Sequence, residues 1–261
     1  MSETNFLNVT ELAGDEVSKD QLFRFFQRYG WAAQYTGGKD VLEAACGTGP
    51  GLGYLSSQSK SLTAGDFSET VLSVAKNHYK DRIKLLPFDA QNSPFADASF
   101  DVVILFEAIY YLPDAAKFID ECRRILRPEG TLLLATANCS LFDFNPSPHS
   151  TKYYTVPELT ALLNSKDFSV ECFGGSPISR QGLKNKIFSA LKKFAVTFNL
   201  IPGSMSGKKL LKRLVFGKLV TMPKELTSSE LKYKPPVSIS ASKEDFEHQV
   251  LYFKATKKGK Q

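Results

Sequence analysis

The segment VLEAACGTGPGLG at 41–53 and the apolar run SLTAGDF at 61–67 constrain the fold of this chain more than any other feature. An apolar run that reads as a buried strand leads into glycines at Gly47, Gly49, Gly51 and Gly53, and the next run ends on an acid, Asp66. Glycines permit a tight turn and close approach of backbone to a ligand. A carboxylate on the neighbouring strand takes ribose hydroxyls, which is how a doubly wound sheet holds an adenosine-containing cofactor. The spacing narrows the choice. A dinucleotide fingerprint GxGxxG started at Gly47 needs a third glycine at position 52, where Leu52 stands. Nicotinamide and flavin dinucleotides are therefore disfavoured, and an acid on the preceding strand, Glu43, belongs to the loop instead.

The rest of the chain alternates in the same sense. Apolar runs at 40–46, 61–66, 83–88, 101–106 and 130–137 read as buried parallel strands, with helical stretches at 51–58, 68–80, 114–126 and 157–165 between them. Two further strands fit 168–173 and 248–257, and a first helix fits 10–36. Such alternation predicts an α/β fold, a doubly wound and mostly parallel seven-stranded sheet with helices on both faces. Ser68 is placed to cap the helix that follows it, and Pro128 and Gly130 to turn the chain into the fifth strand. Two amphipathic helices are expected at 182–200 and 207–221, before the last strand. Four parts follow: a helical N-terminal cap at 1–38, a core at 39–174, a basic helical insertion or lid at 175–246, and a final strand and tail at 247–261.

Charge is divided unevenly. Residues 1–181 carry 16 basic and 22 acidic side chains, whereas residues 182–261 carry 17 basic and 5 acidic. That asymmetry points to an acidic partner for the C-terminal part: a phosphate-bearing substrate, an anionic membrane surface or nucleic acid. The bland alternative is a solvated lysine-rich face. No apolar run approaches the ~18 residues that span a bilayer, and the polar N-terminus reads as neither a secretory signal nor a transit peptide. Four widely spaced cysteines without a CxxC pair argue against zinc and against a disulfide framework. A cytoplasmic location is expected, with peripheral contact at the inner membrane face as the alternative.

The motifs resemble the class I S-adenosylmethionine-dependent methyltransferases, in particular the methyltransferase type 11-like group, over roughly 39–173 and the last strand. Four pieces carry the resemblance: the glycine loop behind Glu43, AGDFS around Asp66, FDAQNSPFADASFDVVI at 88–104, and YLPDAAKFIDECRRILRPEGTLLLAT at 111–136. Ala45 stands where the family has its first loop glycine. The resemblance implies a Rossmann-like fold and S-adenosylmethionine as cofactor. It implies Glu43, Ala45, Gly47, Gly49, Asp66, Phe67, Asp89, Ala90 and Phe106 as cofactor-binding residues, with Asp66 on the ribose, Asp89 at the adenine amino group, and no metal. Asp89 as a helix cap and Phe67 as core are the structural alternatives.

Methyl transfer from a sulfonium is an in-line displacement that needs positioning above all, and a hydroxyl acceptor benefits from a base. Candidate catalytic residues belong at the carboxyl ends of the strands. FEAIYY at 106–111 offers Glu107 and Tyr110, and DFNPSPHSTKYY at 143–154 offers His149, the preferred base. Amino methyltransferases acting on nucleic-acid bases or glutamine commonly carry an Asn/Asp-Pro-Pro-Tyr/Phe loop after the fourth strand. This chain has Glu-Ala-Ile-Tyr there, which favours oxygen acceptors. The leading acceptor is a small molecule: a natural product or a saccharide carrying phosphate or a lipid diphosphate, held by the lysines, with no nucleic acid. The rivals are a lipid or quinone acceptor at a membrane and a non-catalytic cofactor-binding module with a nucleic-acid-binding basic face.

Overall fold

A computed structural model describes residues 12–178, 219–227 and 232–259. Among them the chain runs β1 (Glu16–Val17), α1 (Lys19–Thr36), β2 (Asp40–Ala44), α2 (Leu52–Gln58), β3 (Ser61–Asp66), α3 (Glu69–Tyr79) and β4 (Lys84–Pro87). It continues through β5 (Phe100–Phe106), α4 (Ala115–Ile125), β6 (Leu126–Ala137), α5 (Val156–Ser165) and β7 (Phe168–Pro177), then β8 (Val220–Thr221), β9 (Val237–Ser238) and β10 (His248–Lys257).

All seven expected strands form one sheet, in the order β4-β3-β2-β5-β6-β10-β7. The pairs from β4 to β6 are parallel and β10 runs antiparallel between β6 and β7. The sheet has eight strands rather than seven, because β9 adds to its edge opposite Phe173 and Gly174. Side chains alternate across it as a pleat requires. Val102 and Ile104 face a core shared with Trp31 of α1, Leu55 of α2 and Leu72 of α3; Val103 and Leu105 face one shared with Phe118 of α4 and Leu159 of α5. Both faces are thus covered, which is why the central strands read as unbroken apolar runs.

Ser68 caps α3 as expected, accepting from Val71 N at 3.4 Å. Asp101 has a structural part, accepting from Asp40 N at 2.8 Å and pairing with Arg127 at 2.8 Å. Three expectations need correction. The first helix begins at Lys19, not at 10, because Gly14 takes a positive φ of 89° and Ser18 caps the helix by accepting from Gln21 N at 3.1 Å. The fifth strand begins at Leu126, not at 130, since the stretch around Pro128 is absorbed by a register shift against β5 between Phe100 and Val102. Of the helix expected over 207–221, residues 207–218 lie outside the described residues, and Val220–Thr221 is instead a strand, β8, paired with β1. The helix at 182–200 lies outside the described residues. No described helix is long and apolar enough to cross a membrane.

Gly65 shows how tightly the sheet is packed at the carboxyl end of β3. A Cβ at this position would fall 2.1 Å from the Leu86 carbonyl oxygen and 2.4 Å from the Phe88 ring. A backbone carbonyl within a parallel pair has little room to yield. Gly65→Ala is expected to destabilise the chain by about 1–3 kcal/mol, as overpacking does. Urea unfolding checks this; a midpoint equal to that of the wild type would refute it.

Candidate active site

The connections from β2 lead to β3 on one side, and the chain later returns to β5 on the other, so β2 is the switch point of the sheet. Crevices open at such points, outside the carboxyl ends of the strands. Here a cavity of about 1460 Å³ lies across those ends. Its wall follows the sheet order: Asp89 beyond β4, Asp66 at β3, Glu43 at β2, Glu107 after β5, Asn138 after β6 and Gln249 in β10.

The loop after β2 takes left-handed backbone at Ala45 (φ 52°), Gly47 (φ 60°) and Gly49 (φ 75°). Ala45 keeps that conformation without being glycine, at a cost of about 1–2 kcal/mol. The turn points Gly47 N at Asp66, donating to Oδ2 at 2.9 Å, while Ser68 N donates to Oδ1 at 2.9 Å. The Asp66 carboxylate is therefore aimed by two backbone donors. Burial raises its pKa, and the bonds from Ser68 and Gly47 oppose that rise.

Glu43 is buried, and its Oε1 accepts from the Tyr29 hydroxyl at 2.7 Å. Its other oxygen, Oε2, is buried without any partner. Burial pushes Glu43 up to about 7, although the Tyr29 bond and the Arg28 charge pull the other way. An unpartnered buried carboxylate oxygen on a cavity wall is costly unless a donor comes to meet it.

Asp89 uses Oδ1 within its own turn, accepting from Gln91 N at 2.8 Å and Gln91 Nε2 at 3.2 Å. Ala90 and Phe88 line the same end of the cavity, and Phe67, 67% exposed, lies at its margin. Gly49 does not line it. Its carbonyl instead accepts from the Tyr79 hydroxyl at 2.7 Å, and a Cβ would meet Leu52 at 2.7 Å, so its part is to make the turn.

At the other end, Phe106 closes β5 and packs edge-on against Tyr29 at 5.6 Å between ring centres. Glu107 follows in left-handed backbone (φ 51°). Its Oε1 accepts from Arg28 Nη1 at 3.3 Å and its Oε2 from the Tyr110 hydroxyl at 3.1 Å. Burial and the neighbouring Glu107 push the Tyr110 hydroxyl well up, so it stays protonated. Tyr110 stacks on Tyr153 at 4.3 Å, and Tyr153 accepts from Ser147 N at 3.0 Å, which ties the Pro-rich loop to this wall.

His149 departs from the expectation. It is exposed, has a positive φ of 67°, and is not among the residues lining the cavity, although Ser147 and Pro148 are. It sits in a turn at 147–150, closed by the Ser150 N to Ser147 O bond of 3.2 Å. Glu107 and Tyr110 are brought together in the cavity; His149 is not. The sequence reading also missed Arg24, Arg28 and Tyr29 of α1, which line the cavity. Their i, i+4 spacing put Arg24 and Arg28 on one helix face, but nothing local tells which face meets the strand ends. No group of residues that could hold a metal occurs among the described residues.

The chain is similar to known proteins over its core. Residues 42–134 match the family model described as a methyltransferase domain. A probable S-adenosylmethionine-dependent methyltransferase of Mycolicibacterium smegmatis is 36% identical over 138 residues, 51% of this chain and 53% of that protein. A phthiotriol/phenolphthiotriol dimycocerosates methyltransferase of Mycobacterium tuberculosis is 40% identical over 99 residues, 36% of each protein. The chain spans about half the length of the curated relatives it first matches. Among solved structures, Haemonchus contortus phosphoethanolamine N-methyltransferase 2 with bound S-adenosyl-L-methionine shares the fold, with a TM-score of 0.58 and 17% identity over 91% of this chain and 56% of that one. With its glycine loop, its strand order and the match over 42–134, the core of this chain is similar to the class I S-adenosylmethionine-dependent methyltransferases.

Proposed function

We propose that this chain transfers a methyl group from S-adenosylmethionine to a hydroxyl oxygen of an acceptor with an extended apolar part, of the lipid or lipid-linked glycan class. Glu107 carries the reading. Its carboxylate shares one cavity with Glu43 and Asp66, one strand over from the glycine loop, and is held by buried Arg28 and by Tyr110.

The residues present suit the cofactor. Glu43 Oε2, buried and unpartnered, is matched to the ammonium of its amino-acid part. Asp66, already aimed by Gly47 N and Ser68 N, is matched to the ribose hydroxyls. Ala45 and Gly47 let the backbone approach, and Phe67, Phe88 and Ala90 flank the adenine, with Asp89 at its amino group. The bound cofactor supplies a methyl on a sulfonium, ready for in-line displacement. The protein's main task is then to hold an acceptor oxygen against that carbon, which supplies about 7–11 kcal/mol. Glu107 would hold the acceptor hydroxyl and take its proton as the methyl is transferred. Tyr110 keeps its proton and steadies Glu107.

The acceptor class rests on the remaining wall. Phe25, Phe106, Leu141, Phe144, Tyr153 and Val250 line it, and no lysine does among the described residues. A phosphorylated saccharide gripped by lysines draws no support from that lining, whereas an apolar acceptor does. The Mycobacterium tuberculosis relative, named for action on a lipid, supports the same class.

Calorimetric binding of S-adenosylhomocysteine to the wild type and to Asp66→Ala, with NADH as control, tests the cofactor site. We expect stoichiometric binding by the wild type and a loss of about 10- to 100-fold in Asp66→Ala, the worth of one or two charge-assisted hydrogen bonds. A folded wild type that binds NADH and not S-adenosylhomocysteine would sink the reading. Labelled cofactor offered with hydroxylated lipids and glycolipids then tests the acceptor class.

A further inference from the structure

The glycine loop has a second set of partners that the cofactor reading leaves unexplained. Residues 219–227 return to the core beside it, with Met222 and Leu226 buried in the same cluster as Leu52, Leu55 and Tyr79. Leu226 N donates to the Pro50 carbonyl in the loop at 2.7 Å. Next to it, the Glu225 carboxylate lies against Gly53, where a Cβ would fall 1.7 Å from Oε1. The last glycine of the loop therefore makes room for Glu225.

Glu225 is held in turn by residues of, and just beyond, α3. Arg82 donates to it through both terminal nitrogens, at 3.2 and 2.8 Å, and His78 Nε2 lies 2.8 Å from Oε2. The Arg82 bonds, with a smaller contribution from His78, hold this carboxylate below its ordinary range despite partial burial. Arg82 also sits 4.9 Å over the ring of Tyr79. The Tyr79 hydroxyl bridges the loop from within, donating to Gly49 O at 2.7 Å and accepting from Gly53 N at 3.1 Å. A continuous set of contacts thus runs from Glu225 through Arg82 and Tyr79 to Gly49 in the turn and Gly53 at the start of α2.

We propose that Glu225 is a positioning residue for the cofactor loop, fixing the turn at 47–53 through Arg82 and Tyr79 from a segment outside the family core. This rests on the reading of that loop as the S-adenosylmethionine site. Affinity for the cofactor would then be set partly by how residues 219–227 are seated, directly after the lysine-rich stretch of the chain.

Calorimetry with S-adenosylhomocysteine on the full chain separates the two claims. A wild type that does not bind overturns the site reading itself. If the wild type binds, Glu225→Ala should weaken binding about tenfold, in the range of coupling between linked sites. Glu225→Gln, which keeps the shape and a hydrogen-bond acceptor, should recover most of it. Tyr79→Phe should weaken binding by a similar factor, and the double variant should lose less than the product of the two, because both act on one set of contacts. Asp120→Ala, which breaks a comparable ion pair with Lys166, is the control for stability alone. Steady-state rates should show KM for the cofactor raised, with kcat and the acceptor KM unchanged. Unaltered affinity in Glu225→Ala and Tyr79→Phe, whatever their melting temperatures, would overturn the proposal. Should Glu225→Ala not fold, Tyr79→Phe and Glu225→Gln decide it on the same measurements.

Discussion

Glu107→Gln is expected to lower kcat by about 10²–10⁴-fold, the ordinary contribution of a positioned base, while leaving S-adenosylhomocysteine affinity near that of the wild type. The argument is geometric. Glu107 is a non-glycine residue in left-handed backbone at the end of β5, a conformation that costs energy and persists only where its surroundings fix it. What it gains is a carboxylate turned into the cavity and held from both sides, by Arg28 at 3.3 Å and Tyr110 at 3.1 Å. The Glu107→Gln side chain can still accept from Arg28, so circular dichroism should show an intact fold. Tyr110→Phe removes only the steadying bond and should cost less. Rates are measured with the acceptor that the labelled-cofactor screen selects. A kcat within threefold of the wild type for Glu107→Gln would remove it as the base and leave it a positioning group for Arg28.

The second large effect is on stability against pH. Glu43 titrates near 7 in the folded chain because burial disfavours its charge, against about 4.3 when unfolded. Between those values the folded state holds a proton that the unfolded state has released, so stability falls as pH rises. The stabilisation is fully present below about 4.3 and gone above about 7, a difference of about 4 kcal/mol at about 1.36 kcal/mol per unit. Asp66, also raised by burial, adds to the same slope. Glu121 and Glu225, lowered by their arginines, act oppositely and at lower pH, where stability is lost as they protonate. The difference between the curves of the wild type and Glu43→Gln therefore isolates this residue. Urea unfolding of the ligand-free chain from pH 4.5 to 8 should give a wild-type curve that declines relative to the Glu43→Gln variant and then runs parallel. Parallel curves throughout would mean that Glu43 is solvated or paired. An ammonium arriving at Oε2 favours the charged form, so binding at pH 6 should release a proton. Calorimetry in two buffers of different ionisation enthalpy reads that directly.

What could be read from the chain and what could not divide along sequence distance. The order of strands and helices was legible because each element writes its own period. VVILF and LLLAT are apolar on both pleat faces, and Phe118, Ile119 and Cys122 recur at helical spacing. The loop, Glu43 and Asp66 were legible because glycines and an acid at consecutive strand ends are brought together by parallel pairing alone. The place of His149 outside the cavity lining was not legible, for the opposite reason. Its loop sits at the right end of the sheet, but a positive φ and the turn at 147–150 decide where a side chain goes, and neither is written in residue type.

The sequence by itself therefore determined the α/β architecture, the likeness of the core to methyltransferase domains and the grouping of Glu43, Asp66 and the glycine loop at one end of the cavity, since these rest on periodicity and on motifs within single β-turn-α units. Only the tertiary structure decided the Glu107 end of the cavity and the support of the loop. Arg28 meets Glu107, Gln249 meets Arg24, and Glu225 meets Arg82 across large separations in the chain. Contacts of that kind are set by how one helix face or one returning segment packs against the whole sheet, and local propensity carries no record of the partner.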